Sequence, residues 1–523
     1  MGANNSITAP KFIACLPYTF IPLYLLFLLP TLLHAQPSFI KDSLDTYVNR
    51  EIKKWNIPGV AVAIVKDGKI VVCKGYGVRD ASAPLVPKNK VDENTLFQIA
   101  SNTKAFTGTS LALLAYQKRL SLDDKVSKWM PDFKLYDPLA SDEVMVRDLL
   151  CHRLGFETFQ SDMLNWGCDL KRKEIISNLR NVKPVYSFRS HYGYCNAAFL
   201  TAGELIPLVT DTSWDDFLKY HFFKPLNMTR TSTQWEKINS DANACKPYTL
   251  QFGQLAEMPY VNVDNLGPAA SINSCVNDLS HWLLMQLDSG WYNNKQILPF
   301  EVLQMTRAPQ TITGNPSNKL FPSKHFQTYG LGWFMEDYNG KKIISHDGGA
   351  NGFVTTVCFI PEMDLGIVVL TNTDANYFYG ALRQQIIDAY MNLPYRNYSD
   401  LYCRGEKYNE KKQDEEIKEW MAIASNSKPD LKPEAFAGEY SNPVYGDMKL
   451  TVENGKLYMY LSHHHNLRGE LQYMGNNIFV CTYSDPEYGV KKFPFKVENG
   501  KVVSITVSVN DFIDFMPYEF VKK

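Results

Sequence analysis

Phe97-Gln-Ile-Ala-Ser-Asn-Thr-Lys-Ala-Phe-Thr107 is the stretch from which the rest of the chain is read. Thr95 to Ala100 is rich in β-forming residues and predicts a short strand, and the apolar run from Ala105 to Gln117 predicts a helix. Ser101 falls where one gives way to the other, so its backbone N–H joins the unpaired donors of a helix N-terminus, where an oxyanion is best held. Lys104, at i+3, shares the helical face of Ser101 and lies within reach of its hydroxyl. A serine hydroxyl is a poor nucleophile until a base takes its proton. Lysine, with a free pKa of about 10.4, serves as that base only where burial or nearby cations lower it. Spacing alone proves little, because Ser38/Lys41 and Ser425/Lys428 repeat the Ser-x-x-Lys pattern. Neither of those pairs opens an apolar helix after a strand.

Two further groups extend the pattern. Tyr194-Cys195-Asn196 offers a phenol that can relay a proton and a carboxamide that can hold a substrate amide or Lys104. Tyr-x-Asn also recurs elsewhere, at Tyr47/Asn49 and Tyr440/Asn442 among others. Ser345-His346-Asp347-Gly348-Gly349 ends a predicted strand, and its glycines let backbone approach a ligand closely. The N–H of Gly349 is a second candidate oxyanion donor beside that of Ser101. A lone His346 is more often structural than catalytic. A Ser-His-Asp hydrolase would call for a Gly-x-Ser-x-Gly elbow, and the chain has none.

The order of these groups and their surroundings resemble the serine β-lactamase-like and penicillin-binding protein family, which includes class C β-lactamases, DD-peptidases, D-aminopeptidases and esterases. The resemblance covers about residues 38 to 392 and rests on Trp55-Asn-Ile-Pro-Gly-Val-Ala-Val-Ala63, Phe97 to Thr107, Asp148-Leu-Leu-Cys-His152, Phe223-Lys-Pro-Leu-Asn-Met228, Tyr329-Gly-Leu-Gly-Trp333 and Ser345 to Gly349. It implies an acyl-enzyme mechanism. Ser101 would attack a carbonyl, Tyr194 and Lys104 would move its proton, and the N–H groups of Ser101 and Gly349 would hold the oxyanion. Asn196, His346 and Gly348 would line the substrate. His346 stands where dedicated β-lactamases carry the Lys of Lys-Thr-Gly, which turns the expectation toward a peptidase or esterase. A β-lactamase, or a non-catalytic protein binding penicillin or peptidoglycan fragments, is the alternative. Leu149-Leu-Cys-His-Arg-Leu-Gly-Phe156 departs from the family's usual helix-end turn, and Cys195 replaces a common Ser or Ala.

Hydrophobic residues make up 45% of the 523 positions and charged ones 21%, a globular balance with material for more than one core. The formal charge of -1 gives no basic excess for nucleic acid or an anionic membrane, so the expected partner is a small-molecule or peptide substrate. Lys11, the apolar run Phe12 to Leu33 and then His34-Ala35-Gln36-Pro37 read as a signal peptide cleaved after Ala35, with export to periplasm or medium. Left uncleaved, the run would be a membrane anchor, although Pro17, Pro22 and Pro30 interrupt it. Cys15 lies too early for lipid attachment. The nine cysteines that follow, odd in number and without a Cys-x-x-Cys pair, do not form a disulfide framework.

The expected fold class is α/β (α+β): an antiparallel sheet flanked by helices with an all-helical subdomain, then a small C-terminal antiparallel β-barrel domain. Helices are predicted at Ser38 to Trp55, Lys171 to Leu179, Asn196 to Leu205, Val276 to Leu287 and Tyr379 to Met391. Strands at Val60 to Val65, Ile70 to Cys73, Lys341 to Ser345, Phe353 to Phe359 and Leu365 to Leu370 must join from both ends of the domain into one sheet. The domain boundaries follow as 1–35 (signal peptide), 36–395 (hydrolase), 396–430 (charged linker with a solvated helix) and 431–523. The last segment, with Phe436-Ala-Gly-Glu-Tyr440 and strands between Asn-Gly turns, is similar to the lipocalin-like domain found behind such hydrolases, where it would cover the cleft or support oligomers. His463-His464-His465 has no acidic or Cys neighbour in sequence and is expected on an exposed loop. No metal or other cofactor is expected.

Overall fold

The computed structural model describes residues 36–429 and 431–523, so the expected signal peptide, with Lys11, Cys15 and the cleavage point after Ala35, lies outside the described residues. Among the described residues no helix is long and apolar enough to cross a membrane, and all nine cysteines are free thiols.

Helix α1 (Leu44–Lys54) leads into strands β1 (Gly59–Lys66) and β2 (Lys69–Gly77). Asp67 and Gly68 turn that hairpin with φ of 51° and 70°, the left-handed pair that a tight two-residue turn requires. Helices α2 (Thr103–Tyr116), α3 (Asn196–Gly203) and α4 (Val276–Leu287) follow. Then come β3 (Thr311–Gly314), β4 (Gln327–Tyr329), β5 (Phe334–Tyr338), β6 (Lys341–Ala350), β7 (Phe353–Ile360), β8 (Leu365–Thr371) and helix α5 (Phe378–Tyr390). All eight strands form one antiparallel sheet in the order β2-β1-β8-β7-β6-β5-β4-β3, so the first hairpin pairs with the last strand of the domain.

Strand β1 shows why the sheet sits where it does. Val60, Val62 and Ile64 pack into the core shared with α1 and α5, whereas Ala61, Ala63 and Val65 face the core shared with α2 and α4. A strand covered on both faces reads as a continuous apolar run rather than an alternating one. Each fully buried Val or Ile contributes about 1.5–3 kcal/mol. Helix α2 is buried on every side from Thr103 to Leu114, the condition of a helix that runs through a core. Phe106 stacks on Trp282 of α4 at 4.1 Å between ring centroids. Short helices between Pro138 and Asn239 form the helical subdomain.

The expected strand Thr95 to Ala100 is shorter than the composition predicts. Phe97 and Gln98 pair with Ser274 and Asn273, and Leu96 makes a single bridge to Ala244. The chain then reverses through a single 3-10 turn, Ala100–Asn102, and α2 starts at Thr103.

Residues 398–426 form a single 29-residue helix, α6 (Tyr398–Asn426), capped by the Asn397 side chain, which accepts from Asp400 N. Its first turn is anchored in the hydrolase domain, because Ser399 Oγ donates to Glu51 (2.6 Å) and Tyr398 donates to Asp388 (2.6 Å). Its later turns bury Ile417 and Ala424 and set Trp420 under the Lys492 ammonium at 4.2 Å from the ring centre. The expected linker is therefore a helix that touches both domains rather than a wholly solvated one.

Beyond α6, strands β9 (Gly438–Asn442), β10 (Gly446–Glu453), β11 (Lys456–Leu461), β12 (Arg468–Gly475), β13 (Ile478–Tyr483), β14 (Val490–Glu498), β15 (Lys501–Val507) and β16 (Tyr518–Lys522) run as a meander. Pairing of β9 with β16 closes it into a barrel. Met448, Leu450, Leu457, Met459, Phe493 and Phe495 alternate inward and fill it. The histidine triplet departs from the exposed loop expected of it. His464 is buried, bonded to Tyr445 and to the Trp166 carbonyl, while His463 and His465 both grip Asp169 of the hydrolase domain. The loop is part of the contact between the two domains.

Candidate active site

Ser101 stands on a forced turn. Ala100 has φ +45°, a left-handed conformation that alanine adopts only under tertiary constraint. That constraint comes from strand β6. A Cβ on Gly348 would lie 2.1 Å from the Ile99 carbonyl oxygen, so only glycine allows the strand to lie against the turn. Asn102 Nδ2 donates to Thr355 Oγ1 (2.9 Å) and to the Ile99 carbonyl (3.1 Å), tying the turn to β7. Strand β5 pairs with β6 only as far as Ser345, so His346 to Gly349 continue along an edge open on that side. Gly349 lies on that edge, and a Cβ there would meet the Phe512 ring of the barrel at 2.8 Å.

Lys104 is entirely buried, at 0% exposure. Its Nζ donates to Ser101 Oγ (3.1 Å), Asn196 Oδ1 (2.6 Å) and the Ala269 carbonyl (2.9 Å), which uses all three ammonium donors. The ammonium also lies 4.6 Å from the centre of the Tyr194 ring. Burial brings its pKa down to about 7, against the pull of Asp162. Near neutrality a substantial share of Lys104 is therefore the free amine. Asn196 gives Oδ1 to Lys104, and its Nδ2 donates to Asp162 Oδ2 at 2.5 Å. Both ends of the carboxamide are thus engaged within the protein.

Tyr194 is buried and presents a hydroxyl with no direct hydrogen-bond partner among the described residues. Burial raises its pKa, and the nearby Ser101 hydroxyl pulls it the other way. The ring is clamped by His152, stacked on it at 4.2 Å, and His152 Nδ1 accepts from Cys195 N at 3.0 Å. His346 uses both ring nitrogens: Nδ1 donates to the Asp347 carbonyl (2.6 Å), and Nε2 accepts from the Tyr329 hydroxyl (2.9 Å). Burial and the Lys104 charge lower its pKa to about 3, so the imidazole is neutral and only its ring faces the cleft.

Ser101, Tyr194, Asn196, His346, Gly348 and Gly349 line one cavity of about 780 Å³. The structure thus brings together every residue that the sequence singled out. It adds others for which the sequence carried no signal: Asp162 behind Asn196 and, from the barrel, Phe512 and Phe515; Tyr329 behind His346 was visible as part of the Tyr329-Gly-Leu-Gly-Trp333 stretch, without its role. Phe515 packs edge-on against Phe159 at 5.6 Å, and Phe159 packs against Tyr194 at 5.4 Å. His152 was visible in sequence as part of the Leu-Leu-Cys-His stretch, without its role as a clamp. Eight carboxyl side chains line the cavity, from Asp162 and Asp347 near Ser101 to Glu406, Glu410 and Asp414 on α6, and no Lys or Arg does. Among the described residues no group of three His, Cys, Asp or Glu side chains could hold a metal.

The family model described as Beta-lactamase matches residues 44–391, and one described as a domain of unknown function, DUF3471, matches residues 424–522. The chain is similar to protein flp of Staphylococcus aureus, 30% identical over 347 residues, a match covering 64% of each chain and so less than two thirds of that relative's length. It is also similar to an unguisins hydrolase of Aspergillus violaceofuscus, 26% identical over 458 residues, 81% of this chain and 80% of the other. Among solved structures, an octameric penicillin-binding protein homologue from Pyrococcus abyssi superposes with a TM-score of 0.59 at 19% identity, covering 92% of this chain and 99% of that one. A D-stereospecific amidohydrolase from a Streptomyces species superposes with a TM-score of 0.53 at 20% identity, covering 66% and 96%. At these identities the structural likeness speaks for the fold.

Proposed function

Because the chain belongs to the Beta-lactamase family, we propose that it is a serine hydrolase that cleaves amide or ester bonds through an acyl-enzyme on Ser101. The observation that carries this reading is the 3.1 Å contact between Ser101 Oγ and a wholly buried Lys104 whose pKa lies near 7. Lys104 as free amine takes the hydroxyl proton while Oγ bonds to the substrate carbonyl carbon. The N–H groups of Ser101 and Gly349 receive the negative charge that develops on the carbonyl oxygen. Collapse of the tetrahedral intermediate breaks the bond to the leaving amine or alkoxide, which takes a proton relayed through Lys104 and Tyr194. Water then repeats the sequence on the acyl-enzyme and frees Ser101.

The charge of the cleft narrows the substrate. β-Lactams and peptides ending in D-Ala-D-Ala present a carboxylate, and no Lys or Arg lines the cleft to receive one. A free amine or an uncharged ester needs no such partner. The favoured substrates are accordingly D-aminoacyl amides or peptides with a free N-terminus, and esters. The proposal includes export with cleavage after Ala35 and association of copies through the C-terminal barrel. The test is intact-mass measurement of wild type and Ser101→Ala after exposure to an activated ester, a D-alanyl anilide, a D-Ala-D-Ala peptide and a penicillin. The expected result is acylation or turnover by the first two in wild type only. Acylation persisting in Ser101→Ala would remove the nucleophile from the scheme, and preferential reaction with the penicillin would make the protein a β-lactamase instead.

A further inference from the structure

The environment of Lys104 is not completed by the hydrolase domain. Asn196 holds Lys104 and is itself held by Asp162. Asp162 sits on a turn that the barrel secures at both sides. Ser161 N donates to Tyr518 Oη (2.6 Å), Met163 N donates to Asp514 Oδ2 (3.1 Å), and the Tyr518 hydroxyl donates to the same Asp514 oxygen (2.7 Å). Ser161 has φ +78°, a conformation that a serine keeps only with outside support. All three barrel contacts come from the segment between β15 and the start of β16. Nothing in the hydrolase domain bonds to the second oxygen of Asp162, Oδ1, which is buried and unpartnered among the described residues.

We propose that Asp514 and Tyr518 are positioning residues of the reaction: they fix the turn that carries Asp162, and through it hold Asn196 on Lys104. The inference rests on the Ser101–Lys104 chemistry proposed above. Its logic is one of charge. An ionised Asp162 would favour the ammonium form of Lys104 and so withhold the base. A neighbouring carboxyl opposes that ionisation, because two close carboxylates do not both give up their protons easily. Burial and Asp514 hold the Asp162 pKa well above its usual range, and burial pushes that of Asp514 up to about 7. The other titratable or charged groups acting on this cluster are Lys104, Cys195, Tyr194 and Tyr518 toward Asp162, and His152 and His346 toward Lys104. Both of those imidazoles are held neutral by burial, so Asp162 is the main charge acting on a lysine whose pKa burial itself lowers.

The experiment follows kcat/KM for a neutral activated ester from about pH 5 to 10, using the full chain as wild type, Asp514→Asn and Tyr518→Phe. In Asp514→Asn no neighbouring carboxyl opposes ionisation of Asp162 as the pH rises through about 7, so Asp162 ionises at lower pH and Lys104 keeps its proton longer. The rising limb should move up by about one unit, a loss of roughly tenfold at pH 7 that is recovered above pH 9. Tyr518→Phe, which keeps the packing and removes only a hydroxyl, should move the limb the same way by less. A uniform loss at every pH, or an unmoved profile in both variants, overturns the proposal. Titration of Lys104 by NMR in ε-13C-lysine-labelled wild type and Asp514→Asn reads the same shift without any turnover. An unmoved Lys104 there sinks this inference, whereas absence of acylation in the wild type sinks the functional reading on which it rests.

Discussion

Ser101/Lys104 and Ser38/Lys41 carry the same four-residue spacing and have opposite surroundings. Lys104 is sealed in the core with three acceptors around its nitrogen. Lys41 is exposed on the irregular turn before α1, and Lys428 is exposed just beyond α6. Removal from water changes what the same group can do. The pattern names the atoms, and burial gives them a reaction.

The sharpest way to break the comparison is Ser101→Ala against Ser38→Ala. The first should abolish acyl-enzyme formation by activated ester in intact-mass spectra, and the second should leave it at the wild-type level. Next, Lys104→Met should lower kcat/KM by about 10²–10⁴, the usual weight of a general base, while Lys41→Met changes nothing. The same Lys104→Met removes a buried ammonium but leaves the Asn196 and Ala269 oxygens without its donors, so the informative quantity is how its stability relative to wild type changes with pH, read from melting curves of the two proteins. The folded pKa of Lys104, near 7, lies below that of the unfolded chain, so its burial penalty is present in full below about pH 7 and is relieved between there and about pH 10.5. The stability of Lys104→Met relative to wild type should therefore be most favourable at pH 6 and fall toward pH 10; a difference independent of pH would contradict the depressed pKa. Gly348→Ala comes third. Its Cβ has no room beside the Ile99 carbonyl, so it should cost about 1–3 kcal/mol and displace the Ser101 turn, with a tenfold or greater loss in kcat. The smallest effect is the pH profile of the wild type, where kcat/KM should climb through about pH 7 as Lys104 loses its proton.

What sequence could show follows the same division. The sheet was legible because β1, β7 and β8 are apolar runs that need cover on two faces, and the nucleophile was legible because a strand residue, a turn and an apolar helix meet at Ser101. The barrel was legible in β10, β11, β13 and β15, which alternate between Asn-Gly turns, but β12, β14 and β16 were not; in β14, Lys491, Lys492 and Pro494 break the pattern while Phe493 and Phe495 still point inward. Asp162 and Asp514 were illegible for a different reason. A carboxylate in sequence carries no mark of whether it will be solvated or buried, and these two meet only when domains distant in the chain dock. The histidine triplet shows the same blindness, because Asp169, the group it grips, lies almost three hundred positions before it.

The brace on the 161–163 turn also has a consequence in time. Asp514 comes 413 positions after Ser101 (514 less 101). At the roughly 5–20 residues per second of protein synthesis, the nucleophile is made about 20 to 80 seconds before the residues that steady its base. A nascent chain would hold its serine, lysine and tyrosine in a hydrolase that is not yet fully armed, so the order of translation itself delays the onset of activity until the last strands of the barrel have emerged and docked.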